Sequence, residues 1–357
     1  MTPRIAAVHG LHAPHRYPQQ AITDMIAGAF HRNGGDRRRL GTLHRSTRVR
    51  TRHLALPLEE YADLTSFRAA NDLFIRQATA LGARAVDGAL RAAGLRPADV
   101  DLLMFTSVTG LATPSVDARL VQRLGLRPDV KRLPVFGLGC VAGAAGIARL
   151  HDYLRGWPDH VAVLLSVELC SLTFQATDTS PANMIASGLF GDGAAAVVAC
   201  GEQRVPAAGG QAAGPAVVAT RSRMYPDTEH AMGWEIGDSG LRVVLDPSVP
   251  DIVRHHLADD VRTFLGDHGL KPDDVTAWVC HPGGPKILDT VTEVLGLAPD
   301  ALDLTWRHLA EAGNLSSSSV LHVLRDTLAE RRPPPGSPGL LLAMGPGFCC
   351  ELVLLRW

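Results

Sequence analysis

Short apolar runs alternate along this chain with longer stretches in which apolar residues recur every three or four positions. The runs Leu102–Thr106, Val161–Val167, Ala194–Ala199, Ala277–His281, Leu340–Met344 and Glu351–Leu355 read as buried strands. Ala83–Ala93, Val141–Arg155 and Ile252–His268 carry the helical period. Strands alternating with helices predict α/β layers.

The pattern occurs twice. Gly94-Leu-Arg-Pro-Ala-Asp-Val-Asp101 ends one helix and feeds a strand, and Gly269-Leu-Lys-Pro-Asp-Asp-Val-Thr276 does the same later. Leu124-Gly-Leu-Arg-Pro-Asp129 is echoed by Leu295-Gly-Leu-Ala-Pro-Asp300. A repeat at a period of about 170 residues is a duplicated unit and not a solenoid array. It predicts two halves, residues 1–205 and 216–357, with helices opening at Cys140 in the first and near Asn314 in the second. If pseudo-two-fold symmetry relates them, those helix starts meet near the axis, and His281 comes at the end of the second half's first strand. Pro206–Pro215 and Arg332–Pro338 read as breaker loops.

With 357 residues, 46% of them hydrophobic, the chain can bury a large core. A formal net charge of -1 argues against a nucleic-acid binder. Six cysteines, without a C-x-x-C pair, form neither a disulfide framework nor a cysteine zinc site, and they fit a reducing cytoplasm. No apolar run reaches the length of a membrane span.

Cys140 sits in Gly137-Leu-Gly-Cys140, between a strand-like run and a helix. Free N–H groups and the dipole at a helix start favour thiolate, and such positions bring a cysteine pKa from about 8.5 to roughly 3.5–7.5. A thiolate, the imidazole of His281 and the carboxamide of Asn314 together suit acyl transfer: a nucleophile, a hydrogen-bonding partner for it and an oxyanion donor. That chemistry calls for no metal or bound cofactor.

These residues, with Leu189-Phe-Gly-Asp-Gly193, His281-Pro-Gly-Gly284, Gly313-Asn-Leu-Ser316 and Gly345-Pro-Gly347, give the chain its resemblance to the type III polyketide synthases, the chalcone and stilbene synthase superfamily. The resemblance covers nearly the whole chain. It implies a thiolase-like α/β fold, duplicated αβαβα halves forming a five-layer core, and a homodimer. It implies Cys140 as nucleophile, His281 with Asn314 as the decarboxylation pair, and acyl-CoA starters with malonyl-CoA extenders. Phe190 matches an aromatic gatekeeper; read without the family it is a core aromatic.

Departures from the family pattern shape the expected product. Val243 falls where a second gatekeeper phenylalanine would stand, and Thr113 where plant members carry a methionine that reaches into the partner's site. Ala343-Met-Gly-Pro-Gly347 lacks the first glycine of the family's loop. These smaller residues resemble actinobacterial members that take long-chain fatty acyl starters, in which positions matching Thr109 and Cys170 line an acyl tunnel. Cys170 reads equally well as an inert strand cysteine. Glu168 and Ser316 match two members of a network that favours aldol ring closure, and the third position holds Val108, whose side chain cannot hydrogen-bond. An alkylresorcinol and an alkylpyrone are both open. Arg37–Arg39, Arg45, Arg48, Arg50 and Arg52 read as a solvated face or as a patch for coenzyme A phosphates.

Three rivals remain at this level, one of them a non-catalytic binding protein with a degenerate site, which the presence of Cys140, His281 and Asn314 together argues against. A ketoacyl-carrier-protein synthase III would use a similar Cys-His-Asn set for a single condensation. A dinucleotide-binding oxidoreductase would use Gly137-x-Gly139 as its loop, but the spacing to Gly143 departs from that motif.

Overall fold

The structure, a computed structural model, describes residues 2–204 and 214–357. Of the loop expected at Pro206–Pro215, positions up to 213 lie outside the described residues. The strands are β1 Arg4–His12, β2 His15–Pro18, β3 Thr51–Leu54, β4 Leu102–Thr106, β5 Lys131–Val135, β6 Val161–Leu169, β7 Asp192–Cys200, β8 Ala216–Met224, β9 Met232–Gly237, β10 Gly240–Leu245, β11 Ala277–Cys280, β12 Pro338–Gly345 and β13 Cys349–Arg356.

Nine of them form one mixed sheet in the order β11-β12-β13-β8-β1-β7-β6-β4-β5. From its middle the sheet reads β1-β7-β6-β4-β5 one way and β8-β13-β12-β11 the other. Pair for pair the directions match: β7–β6 and β13–β12 are antiparallel, β6–β4 and β12–β11 parallel. The halves join where Arg4 of β1 pairs with Ala216 of β8. This mirrored order is the duplication foreshadowed by the repeated motifs. Among the described strands β5 has no counterpart.

The layers follow from which faces are apolar. Helix Phe67–Ala92 packs Phe74, Ala78, Leu81, Ala85 and Ala89 on the outside of the first half-sheet. Helices Val249–Gly266 and Pro285–Leu295 cover the outside of the second. Between the half-sheets run two central helices, Ala142–Gly156 and Ser319–Glu330, whose Ile147, Leu150, Val320 and Leu324 share one core with strands of both halves. Their close approach depends on Gly143, where a Cβ would lie 2.3 Å from the Ser317 carbonyl oxygen.

Boundaries moved where local chemistry extends an element. Helix Phe67–Ala92 begins well before the expected Ala83, at a turn capped by Ser66, whose side chain accepts from Ala69 N–H at 3.2 Å. Each central helix is preceded by a 3₁₀ turn, Gly139–Val141 and Ser316–Ser318. Cys140 therefore stands just ahead of its helix.

Candidate active site

The sequence motifs prove to be contact surfaces between segments. Gly313 has φ +76°, and a Cβ there would lie 2.5 Å from the Leu189 carbonyl. Asn314 N–H donates to that carbonyl at 2.9 Å, and Gly191 N–H donates to the Asn314 carbonyl at 2.9 Å. Gly-Asn-Leu-Ser and Leu-Phe-Gly-Asp-Gly are thereby stitched together, with Phe190 and Asn314 bridged. Gly139, at φ +57°, admits Pro346, which a Cβ would meet at 2.7 Å, so the Gly345-Pro-Gly347 loop braces the cysteine turn. Asp192 accepts from Ala55 N–H at 2.7 Å and Ser171 N–H at 2.8 Å, which ties the strand entry down.

On this frame Cys140, His281 and Asn314 open onto one cavity of about 320 Å³ with largely apolar walls. The Cys140 thiol points at the Ser316 hydroxyl at 3.7 Å. The backbone of His281 donates to Leu342 O at 2.9 Å, while neither nitrogen of its buried ring has a hydrogen-bond partner among the described residues. Asn314 is 1% exposed; its Oδ1 accepts from Ser316 N–H at 2.8 Å and its Nδ2 lies 3.5 Å from Gly283 O.

The electrostatics differ from the helix-start expectation. Burial pushes the Cys140 thiol up to about 12, against the opposing pull of Ser316 and Asn314, and pushes His281 down to about 3. At these buried positions desolvation outweighs the helix start and favours the neutral form of both groups.

Of the other expected site residues, Phe190, Val243 and Ser316 line this cavity. Phe190 and Val243 also line a second cavity of about 40 Å³, where Cys170 lies with Ile22, Ile26 and Leu54. Thr109 lines neither of these two cavities: its hydroxyl donates to Glu168 at 3.1 Å and accepts from Leu169 N–H at 2.9 Å. Thr113 is exposed, away from this chain's own cavity. The expected Glu168–Ser316 pairing is replaced by Glu168–Ser317. Glu168 is fully buried and accepts in addition from Ser107 Oγ at 3.2 Å and the Val108 backbone N–H at 3.1 Å. Position 108 thus contributes its main chain where its side chain cannot.

The arginine stretch divides. Arg37–Arg39 and Arg45 are exposed. Arg48 pairs with Asp289 and Arg50 with Glu311, both at 3.5 Å. Arg52 is buried and donates to Phe190 O at 2.7 Å and Gln19 Oε1 at 3.0 Å. Trp234 is the main wall residue the sequence reading missed. It stands on β9 directly opposite Val243 of β10, and the turn Asp238-Ser-Gly240 between alternating runs was the available hairpin signal.

The family models for the C-terminal and N-terminal domains of chalcone and stilbene synthases match residues 216–357 and 19–203. A 1,3,6,8-tetrahydroxynaphthalene synthase of Streptomyces peucetius is 59% identical, over 99% of this chain and 93% of that protein. A phloroglucinol synthase of Pseudomonas fluorescens is 32% identical, over 98% and 97%. The crystal structure of the 1,3,6,8-tetrahydroxynaphthalene synthase of Streptomyces coelicolor superposes with a TM-score of 0.91 at 30% identity, covering 99% of both chains. None of these three names describes an alkylresorcinol or alkylpyrone. Matches across both halves set aside the single-condensation and dinucleotide readings: the chain belongs to the chalcone and stilbene synthase superfamily and is a type III polyketide synthase, an acyltransferase that condenses malonyl-CoA units iteratively.

Proposed function

We propose that Cys140 carries the growing acyl chain as a thioester while His281 and Asn314 hold the thioester oxygen of incoming malonyl-CoA. Loss of CO₂ leaves an enolate on that oxygen. Its carbon attacks the Cys140 thioester, the C–S bond breaks, and the Cys140 thiolate departs, leaving the lengthened chain on coenzyme A. The chain is then transferred back to Cys140 with release of coenzyme A for the next round. One observation carries this reading: three polar side chains from separate segments meet in one apolar cavity, and His281 reaches it with both ring nitrogens unpartnered. A dry site strengthens each donor toward developing charge.

For the product we favour a small polyhydroxylated aromatic of the tetrahydroxynaphthalene class, built from malonyl-CoA alone. The 59% identical relative supports it. So does the chemistry of that product, whose oxygens sit on alternate carbons as repeated two-carbon condensation leaves them. Incubation with malonyl-CoA as sole substrate, without carrier protein, tests it by mass spectrometry of the products. A tetrahydroxynaphthalene is expected; turnover seen only after adding a fatty acyl-CoA overturns it.

The apolar second cavity beside Cys170 favours another starter, a fatty acyl-CoA leading to an alkylresorcinol or alkylpyrone. At about 40 Å³ it holds a few atoms, so a long chain would have to displace the wall formed by Phe190, Trp234 and Val243. A homodimer is supported by edge strand β5, next to the cysteine turn, which leaves Leu133 and Phe136 40% and 49% exposed.

A further inference from the structure

Outside the active-site cavity three histidines from three separate elements come together. His12 ends β1, His308 lies on helix Asp303–Ala312 and His322 on helix Ser319–Glu330. One ring nitrogen of each lies within 4.8 Å of the others. No sequence motif announces the group, because its members are brought together by the joining of the two halves.

The hydrogen bonds fix what these rings present. His322 is fully buried, and its Nε2 lies 3.1 Å from the Ala194 carbonyl. A carbonyl only accepts, so the proton is on Nε2 and Nδ1 carries a lone pair. That Nδ1 is buried and has no hydrogen-bond partner among the described residues, and neither has His12 Nε2. His308 Nε2 lies 3.2 Å from Ser319 Oγ, which can accept its proton and leave Nδ1 as the lone pair. An imidazole that donates one N–H to a carbonyl or hydroxyl and aims the other nitrogen inward is the arrangement that orients metal-binding histidines. Gly10 makes room for it: a Cβ there would lie 2.8 Å from His322 Nδ1.

His308 and His322 are buried, and neutral imidazole is the form that binds a metal. His53 stacks on His12 with centroids 4.5 Å apart, its Nδ1 held by Ala13 O at 3.0 Å. Arg325, Arg16 and Arg307 are the nearby positive charges; Arg325 is paired with Asp326 at 2.7 Å and donates to Gly10 O at 3.1 Å.

We propose that His12, His308 and His322 form a three-nitrogen site for a divalent transition metal of the zinc, cobalt and nickel class. Such ions bind imidazole nitrogen at about 2.0–2.1 Å, which sets nitrogens roughly 3.3 Å apart around a tetrahedral centre. From spacings of up to 4.8 Å the rings therefore close by up to about 1.5 Å. Because β1 belongs to the first half and both helices to the second, the ion clips the halves together, apart from the chemistry at Cys140.

The test uses the tag-free full chain, stripped by a chelator and titrated with Co²⁺ alone. Expected are one Co²⁺ per chain, the visible bands of a tetrahedral nitrogen-ligated centre, and a rise of several degrees in Tm. His12→Gln and His308→Gln should each weaken binding about a hundredfold or more and abolish the rise, while His255→Gln, on an outer helix, should change neither. Absence of the bands, binding unchanged in His12→Gln, or equal loss in His255→Gln overturns the proposal. If the buried variants do not fold, X-ray absorption on the wild-type Co²⁺ protein decides: three imidazole ligands support the site, and fewer overturn it.

Discussion

The side-chain oxygen of Asn314 accepts the backbone N–H of Ser316 at 2.8 Å, so the carboxamide is oriented with its nitrogen toward Gly283 O and the cavity. That orientation makes Asn314 a donor to bound substrate and bars it from acting as a base. Asn314→Ala should cut malonyl-CoA decarboxylation by about 10²–10³, the usual cost of one oxyanion donor. Loading of Cys140, followed by intact mass, should stay near the wild-type rate. Equal loss in both steps would make Asn314 a structural residue.

Cys140 and His281 are each held neutral by burial, at about 12 and about 3. If they exchange a proton to form an ion pair, the thiolate exists only with the imidazolium beside it. Wild-type enzyme should then be alkylated by iodoacetamide at neutral pH, and His281→Ala should need alkaline pH, an upward shift of the inactivation profile by roughly two units or more. Superimposable profiles would exclude the pair.

Glu168 reaches the catalytic segment through Ser317 and not through Ser316. A double-mutant cycle on Glu168→Gln and Ser317→Ala should give a coupling of about 1–3 kcal/mol, since either change leaves a buried group unpaired. The cycle with Ser316→Ala should give nearly none. The reverse ranking would restore Ser316 to the network.

That serine pair shows where the sequence stopped being legible. Glycines marked the segments that line the cavity, because Gly139 and Gly313 occupy places where a side chain would strike Pro346 or the Leu189 carbonyl. Cys140, His281 and Asn314 could be read from such motifs, and the paired Pro-x-Asp turns disclosed the mirrored sheet. The run Ser316–Ser319 could not be sorted. In the 3₁₀ turn, with Ser316 at φ +48°, neighbouring serines point in different directions, one to Cys140 and the next to Glu168. Thr109 misled for a related reason: a small residue beside a site reads as open space, yet its hydroxyl is committed to a buried carboxylate. The histidine cluster left no trace because three separate segments assemble it.

Acid should destabilise the fold through His44. Its buried ring lies between Thr23 Oγ1 at 2.8 Å and Ser187 Oγ at 3.1 Å, and burial, aided by the Arg52 charge, lowers it to about 3. The unfolded chain takes up that proton near pH 6.5 and the folded chain does not. Stability from this group is therefore complete above about pH 6.5 and falls by about 1.4 kcal/mol per unit as pH drops toward 3. His281 adds a slope of the same sign. Asp192, raised to about 6 by burial, offsets part of it between about pH 6 and 4. Tm measured from about pH 7.5 to 5 should fall, and His44→Gln should start lower but fall less steeply. An unchanged slope would show that His44 is not a source of the acid sensitivity.

Starter choice turns on the wall between the two cavities. Phe190, Trp234 and Val243 border both, with Trp234 and Val243 paired across the hairpin. With this wall in place malonyl-CoA alone should outcompete long fatty acyl-CoA starters. Trp234→Ala should join the cavities, and two further methylenes buried there stabilise a bound starter by about 1.6 kcal/mol, roughly fifteenfold in kcat/KM. Cys170→Phe added to Trp234→Ala fills the space behind the wall and should cancel that gain, leaving malonyl-CoA decarboxylation unchanged. Mixed-starter competition with product mass spectrometry reads all three proteins in one assay. If wild-type enzyme already takes long chains, and Cys170→Phe alone removes that preference, the wall opens in solution and the fatty acyl reading replaces the naphthalene one.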